Sequence, residues 1–119
     1  MARSKAGDVC VLDWRGDGLP KEANKTRPCV VVEDTDVFAE EHPNIIVVPL
    51  TTNAATIISQ LAVTIAPTRE NGLDRTSYAP AYMVTAASKR RLHGEPIGRI
   101  TRSELASIRA YIAESLGIT

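Results

Sequence analysis

Lys21-Glu22-Ala23-Asn24-Lys25-Thr26-Arg27-Pro28-Cys29-Val30-Val31-Val32 joins two kinds of chain. Its first half is polar, with nothing apolar larger than alanine. The run from Cys29 to Glu33 is short and almost wholly apolar, which reads as a strand buried on both faces. A loop therefore runs into a strand. Pro28 marks the junction, because the first position of a strand can do without its ladder donor. Arg27 is held at the strand mouth, and Glu22 stands five residues ahead of it. That pair suits a phosphodiester. The planar guanidinium can grip two phosphate oxygens and stays charged at any working pH, and a loop carboxylate can take up a proton.

Outward from this stretch the chain reads as short strands. Residues 9–14 form one ahead of it, and Gly16, Gly18 and Pro20 mark the loop between. Glu33, Asp34, Asp36, Glu40 and Glu41 make an acidic segment, with a helical turn expected at 36–41 before Pro43. Residues 45–50 are a third strand whose far end Pro49 demotes to an edge or bulge. Thr51-Thr52-Asn53 leave it. Residues 61–66 alternate, placing Leu61, Val63 and Ile65 on one face. Asn71-Gly72 signals a tight turn. Residues 77–85 read as one strand interrupted by Pro80, and 97–100 as a last short strand. Thr101-Arg102-Ser103-Glu104 is a capping box. Leu105, Ile108, Ile112 and Leu116 then recur at helical spacing, and Gly117 supplies the stop. The pattern predicts one mainly β domain with α over residues 1–119: a small antiparallel, barrel-like sheet with a C-terminal helix.

Composition narrows the function. No apolar run approaches the ~20 residues of a membrane span, and the polar N-terminal residues lack the apolar core of a signal peptide. A cytoplasmic protein without membrane partners is expected. Cys10 and Cys29 sit inside apolar runs and read as buried, reduced thiols. Two cysteines without a nearby histidine do not make a zinc cage, so neither metal nor cofactor is expected. Fourteen basic residues balance fourteen acidic ones, which argues against a bulk electrostatic nucleic-acid binder. The basic residues are nonetheless concentrated at Lys89, Arg90, Arg91, Arg99 and Arg102, a segment able to face a polyanion.

Several of these stretches together resemble the MazF/PemK toxins of bacterial toxin–antitoxin systems. They are Gly7-Asp8-Val9, Arg27-Pro28-Cys29-Val30-Val31-Val32, Val48-Pro49-Leu50-Thr51-Thr52, Asn71-Gly72-Leu73, Arg91-Leu92 and Ile97-Gly98-Arg99-Ile100, in family order over nearly the whole chain. The resemblance implies an SH3-like antiparallel barrel of the MazF/CcdB type and a homodimer. It implies a metal-independent endoribonuclease acting on single-stranded RNA, neutralised by a cognate antitoxin whose tail occupies the RNA groove. Residue by residue, Arg27 falls on the family's active-site arginine and Thr51 on its active-site threonine. Glu22 falls, by spacing, on the glutamate of a Gly-Ser-Glu-Gln loop. Here that loop reads Leu19-Pro20-Lys21-Glu22-Ala23, and Ala81-Tyr82 stands where many members have Asp-Gln.

Metal-free RNA cleavage needs a proton removed from the 2′-hydroxyl, charge on the phosphate stabilised, and the leaving 5′-oxygen protonated. Arg27 suits the second task, Thr51 can donate a hydrogen bond to a phosphate oxygen, and Glu22 can be the base. Lys25, Thr52, Lys89, Arg90, Arg91 and Tyr82 are the expected RNA contacts, the last by stacking. Two other readings stay open. One is a CcdB-like toxin that binds DNA gyrase without catalysis, although residues 113–119 offer no aromatic anchor. The other is a non-catalytic RNA-binding module.

Overall fold

The computed structural model describes residues 4–14 and 26–118. Its centre is three apolar runs laid side by side: β1 (Asp8–Asp13), β2 (Thr26–Val31) and β3 (Asn44–Pro49). Further along the chain come β4 (Ala62–Ile65), β5 (Ser77–Pro80), β6 (Thr85–Ser88), β7 (Gly98–Arg99) and α1 (Arg102–Ser115). One antiparallel sheet has the order β6-β3-β2-β1-β7, and β4 and β5 pair as a second. Strand alternation sorts the apolar side chains between two cores. Val9, Val30, Val48 and Leu50 meet Ile65, Ala79, Ile100 and Ile108 on one face. Cys10, Leu12, Cys29, Val31, Ile45 and Val47 fill the other, with Trp14 and Leu92 packed against them. Covering both faces is why β2 reads as continuously apolar. Each fully buried Val or Leu contributes about 1.5–3 kcal/mol.

The expected fold class is the one found, an antiparallel β structure with a C-terminal helix. Among the described residues the ladders do not run on into a closed barrel. The sheets join at one bridge, Thr51 to Tyr78, and a second bridge sets Leu12 against Leu92. Three local readings shift. β2 begins at Thr26, so Arg27 and Pro28 lie within the strand rather than ahead of it. Residues 36–41 form turns, closed by Val37 N–H to Asp34 and His42 N–H to Ala39, each 3.0 Å. Residues 77–85 divide into β5, a single 3-10 turn (Ala81–Met83) and β6. The chain leaves one sheet for the other just after Pro80, whose ring cannot extend a ladder.

The helix is tied down at both ends. Thr101 Oγ1 accepts from Glu104 N–H at 3.0 Å, and Glu104 Oε1 accepts from Thr101 N–H at 2.9 Å. Leu105, Ile108, Tyr111 and Ile112 face the first core; Leu116 is exposed, and the helix stops at Gly117 (φ +73°). Arg109 donates Nε to the Val32 carbonyl and Nη2 to that of Glu33, at 3.0 and 3.1 Å. This clasp fixes the exit of β2. Among the described residues no helix is long and apolar enough to cross a membrane.

Candidate functional site

The pairing of β2 with β3 runs through Val31–Val47, Val30–Val48 and Cys29–Pro49. Continued in the same register, Pro28 faces Leu50 and Arg27 faces Thr51. Leu50 N–H donates to the Pro28 carbonyl at 3.0 Å. Pro28 has no N–H to return, so the rung is half made and the ladder ends there. Past it, Thr51 turns away to β5: its N–H donates to the Tyr78 carbonyl at 3.0 Å and its carbonyl accepts from Tyr78 N–H at 2.7 Å. A pocket of about 460 Å³ opens where the two strands part. It is lined by Arg27, Pro28, Leu50, Thr51, Thr52, Asn53, Thr56 and Ser77.

Arg27 and Thr51 thus meet in one cavity. Arg27 is exposed, and beyond its backbone pairing with Leu12 its guanidinium makes no hydrogen bond or ion pair with any described residue. The rest of the polar lining is hydroxyl and amide, and no described carboxylate lines the pocket. One cation among neutral donors suits an anion with several acceptor oxygens. Thr51 Oγ1 accepts from Asn53 N–H at 3.1 Å, which leaves the hydroxyl proton available for donation.

The other expected contacts are distributed differently. Thr52 lines the pocket. Glu22 and Lys25 lie outside the described residues. Lys89, Arg90 and Arg91 form a 3-10 turn after β6, apart from the pocket lining. Lys89 Nζ donates to the Glu40 carbonyl at 2.8 Å. Arg91 Nη1 donates to the carbonyl of Asp13, the partner of Thr26, at 3.3 Å. The basic turn therefore reaches the mouth of β2 across β1. Tyr82 does not line the pocket either; its hydroxyl accepts from Ile58 N–H at 2.9 Å and braces the segment after Thr56.

Asn53, Thr56 and Ser77 complete the lining and were not among the sequence-derived site residues. Asn53 was recognisable only as a cap-forming residue at a strand exit. Ser77 comes from β5 and carries no local signal. Cys10 and Cys29 oppose one another across β1 and β2, both buried. Burial, reinforced by the Cys10 sulfur, pushes the Cys29 thiol up to about 12. Burial raises Cys10 as well. Neither is a thiolate nucleophile near neutral pH.

The fold has solved counterparts. A mycobacterial endoribonuclease in complex with its cognate antitoxin superposes with a TM-score of 0.73 at 23% identity, over 98% of this chain and 97% of that one. A MazE–MazF crystal structure from Deinococcus radiodurans gives 0.74 at 18% identity, over the full length of both chains. The Mycobacterium tuberculosis toxin MazF-mt6 gives 0.71 at 19% identity, over 94% and 98%. At these identities the likeness speaks for the fold alone. A search of curated proteins finds no match. A model of the PemK-like, MazF-like toxins of type II toxin–antitoxin systems matches residues 5–116, nearly everything the two sheets and the helix are built from, and the chain belongs to that family.

Proposed function

We propose that this toxin is an endoribonuclease that cuts single-stranded RNA at a phosphate held between Arg27 and Thr51. The observation that carries the reading is that these two residues, from the mouths of neighbouring strands, line one pocket free of described carboxylates. The 2′-hydroxyl attacks phosphorus and gives up its proton to a base, for which Glu22 is the candidate. The P–O5′ bond breaks, and the 5′-oxygen takes a proton. The products are a 2′,3′-cyclic phosphate and a 5′-hydroxyl, and DNA, which lacks the nucleophile, is left intact. Arg27 stabilises the charge that builds on the phosphate oxygens, and Thr51 adds a neutral donor beside it. Thr52 and Lys25 extend the grip on the RNA backbone. Lys89, Arg90 and Arg91 offer a second basic surface beyond β1. The protein acts as a homodimer in the cytoplasm and is silenced by a cognate antitoxin. The mycobacterial endoribonuclease of the same fold was solved in complex with its cognate antitoxin, which supports this reading.

The test is to incubate purified protein with a defined RNA pool in EDTA and map the ends. Cuts at a recurring sequence with cyclic-phosphate and 5′-hydroxyl termini are expected, and Arg27→Ala should lose them while remaining folded. Intact RNA at every sequence tested would refute the reading.

A further inference from the structure

The turn that follows Thr51 is organised by Asn53. Its N–H donates to Thr51 Oγ1 at 3.1 Å. Its side-chain Oδ1 accepts from Ala55 N–H at 3.1 Å, capping the short 3-10 turn Ala54–Thr56. Its carbonyl accepts from Thr56 N–H at 3.3 Å and from Thr56 Oγ1 at 3.0 Å. The residue keeps the extended backbone (φ −97°, ψ 96°) typical of a cap. Four hydrogen bonds within residues 51–56 therefore fix the direction of one backbone amide, and that amide points at the Thr51 hydroxyl.

The consequence concerns a single proton. A threonine hydroxyl carries one proton and two lone pairs. With one lone pair committed to the Asn53 amide, the proton is confined to the remaining directions, away from the turn. The Thr51 backbone is already held on both sides by Tyr78, so rotation of the hydroxyl is the freedom left to control. Thr51, Asn53 and Thr56 all line the same pocket.

We infer that Asn53 is a positioning residue for the cleavage reaction: its side-chain cap holds the turn so that its backbone N–H turns the Thr51 hydroxyl into a pre-aimed donor to the scissile phosphate. The inference rests on the reading of Arg27 and Thr51 as the phosphate-holding pair. Orientation of a donor affects the bound transition state more than RNA capture, so it acts on kcat rather than KM.

The test compares kcat and KM for wild type, Asn53→Ala, Asn53→Ser, Thr51→Val and the double variant Thr51→Val/Asn53→Ala on one RNA with a mapped cut site. Asn53→Ala is expected to lower kcat about tenfold with KM changed less than about twofold. Asn53→Ser, which keeps a capping oxygen, should return kcat to within about threefold of wild type. In the Thr51→Val background, where no hydroxyl remains to aim, Asn53→Ala should cost nothing further. Should Asn53→Ala lower the thermal midpoint, Asn53→Gly takes its place, since glycine tolerates the cap position with little loss of stability. Wild-type kcat in Asn53→Ala, or an equal loss with and without the Thr51 hydroxyl, would overturn this inference alone. A wild-type protein that leaves every RNA intact would overturn the ribonuclease reading and this inference with it.

Discussion

Two asparagines organise two turns in this molecule, and they differ in what they leave uncommitted. Asn71 is 2% exposed. Its Oδ1 accepts the N–H groups of Thr68 and Leu73, both at 3.0 Å, and its Nδ2 donates to the Ala66 carbonyl at 2.9 Å. Gly72 beside it sits at φ +71°, and a Cβ there would run into the Ile97 carbonyl. Gly98 has no room for a Cβ against Glu70 and Asn71. That turn is closed against the backbone of the last strand and has nothing over for a ligand. Asn53 caps its turn with the same oxygen, but it is exposed at a pocket, and its side-chain nitrogen meets no described partner. One asparagine holds the fold; the other holds a surface on which chemistry can occur.

The contrast can be broken by substitution, with stability and activity responding separately. Arg27→Ala should produce the largest effect, a loss of roughly 10²–10³-fold in kcat, as for removal of one preorganised donor to a developing oxyanion. Because the Arg27 side chain is exposed and bonded to no described residue, the variant's unfolding free energy should stay within about 0.5 kcal/mol of wild type. Asn71→Ala should do the reverse. It removes the partner of two N–H groups and a carbonyl in three part-buried hydrogen bonds, for a loss of about 1–3 kcal/mol in denaturant unfolding, while the protein that remains folded keeps its kcat. Thr51→Val should lower kcat roughly tenfold, the loss of one hydrogen bond to a charged group, and leave the urea midpoint almost unmoved.

A pH effect sharpens the comparison along β2 itself, where Cys29 is sealed and Arg27, two residues earlier on the same face, is open. The folded Cys29 thiol is raised from an ordinary value of 9.0 to about 12. Below pH 9 the neutral thiol costs nothing in either state. As pH rises from 9 towards 12 the unfolded chain releases the proton first, so stability falls, by up to about 1.4 kcal/mol per pH unit. Unfolding measured between pH 9 and 11 should show a shallower slope in Cys29→Ala than in wild type. Equal slopes would mean that the thiol is not sealed.

Much of this was legible from the chain. The apolar runs of β1, β2 and β3, the capping box at Thr101 and the helical spacing of Leu105, Ile108 and Ile112 are local patterns, and each formed the element expected of it, with β2 starting and ending earlier than its apolar run. Arg27 stood out at the Arg-Pro entry to an apolar run, and Thr51 only through the resemblance of Val48-Pro49-Leu50-Thr51-Thr52 to the family pattern. The partition at Pro80 was not. A proline says that a ladder cannot continue, but not that the chain will cross to another sheet. The rest of the pocket was hidden for a similar reason. Asn53 and Thr56 look like any polar turn until the cavity beside them is seen. Ser77 arrives through the Thr51–Tyr78 bridge, a pairing of positions far apart in sequence that no short-range pattern encodes.

The half-made rung between Pro28 and Leu50 has a consequence for how such a cleft persists. Two antiparallel segments tend to zip together until some feature prevents the next pair of bonds. Here the obstacle is the imide nitrogen at position 28, a property of the polymer backbone that does not depend on side-chain bulk or on the ionisation of any group. An ordinary amide at that position would offer the missing bond to the Leu50 carbonyl and let the zipper advance towards Arg27 and Thr51. The ring closure thus removes one bond at the edge of the hollow, beside the turn of Thr51 towards Tyr78, and its effect does not vary with the solution conditions.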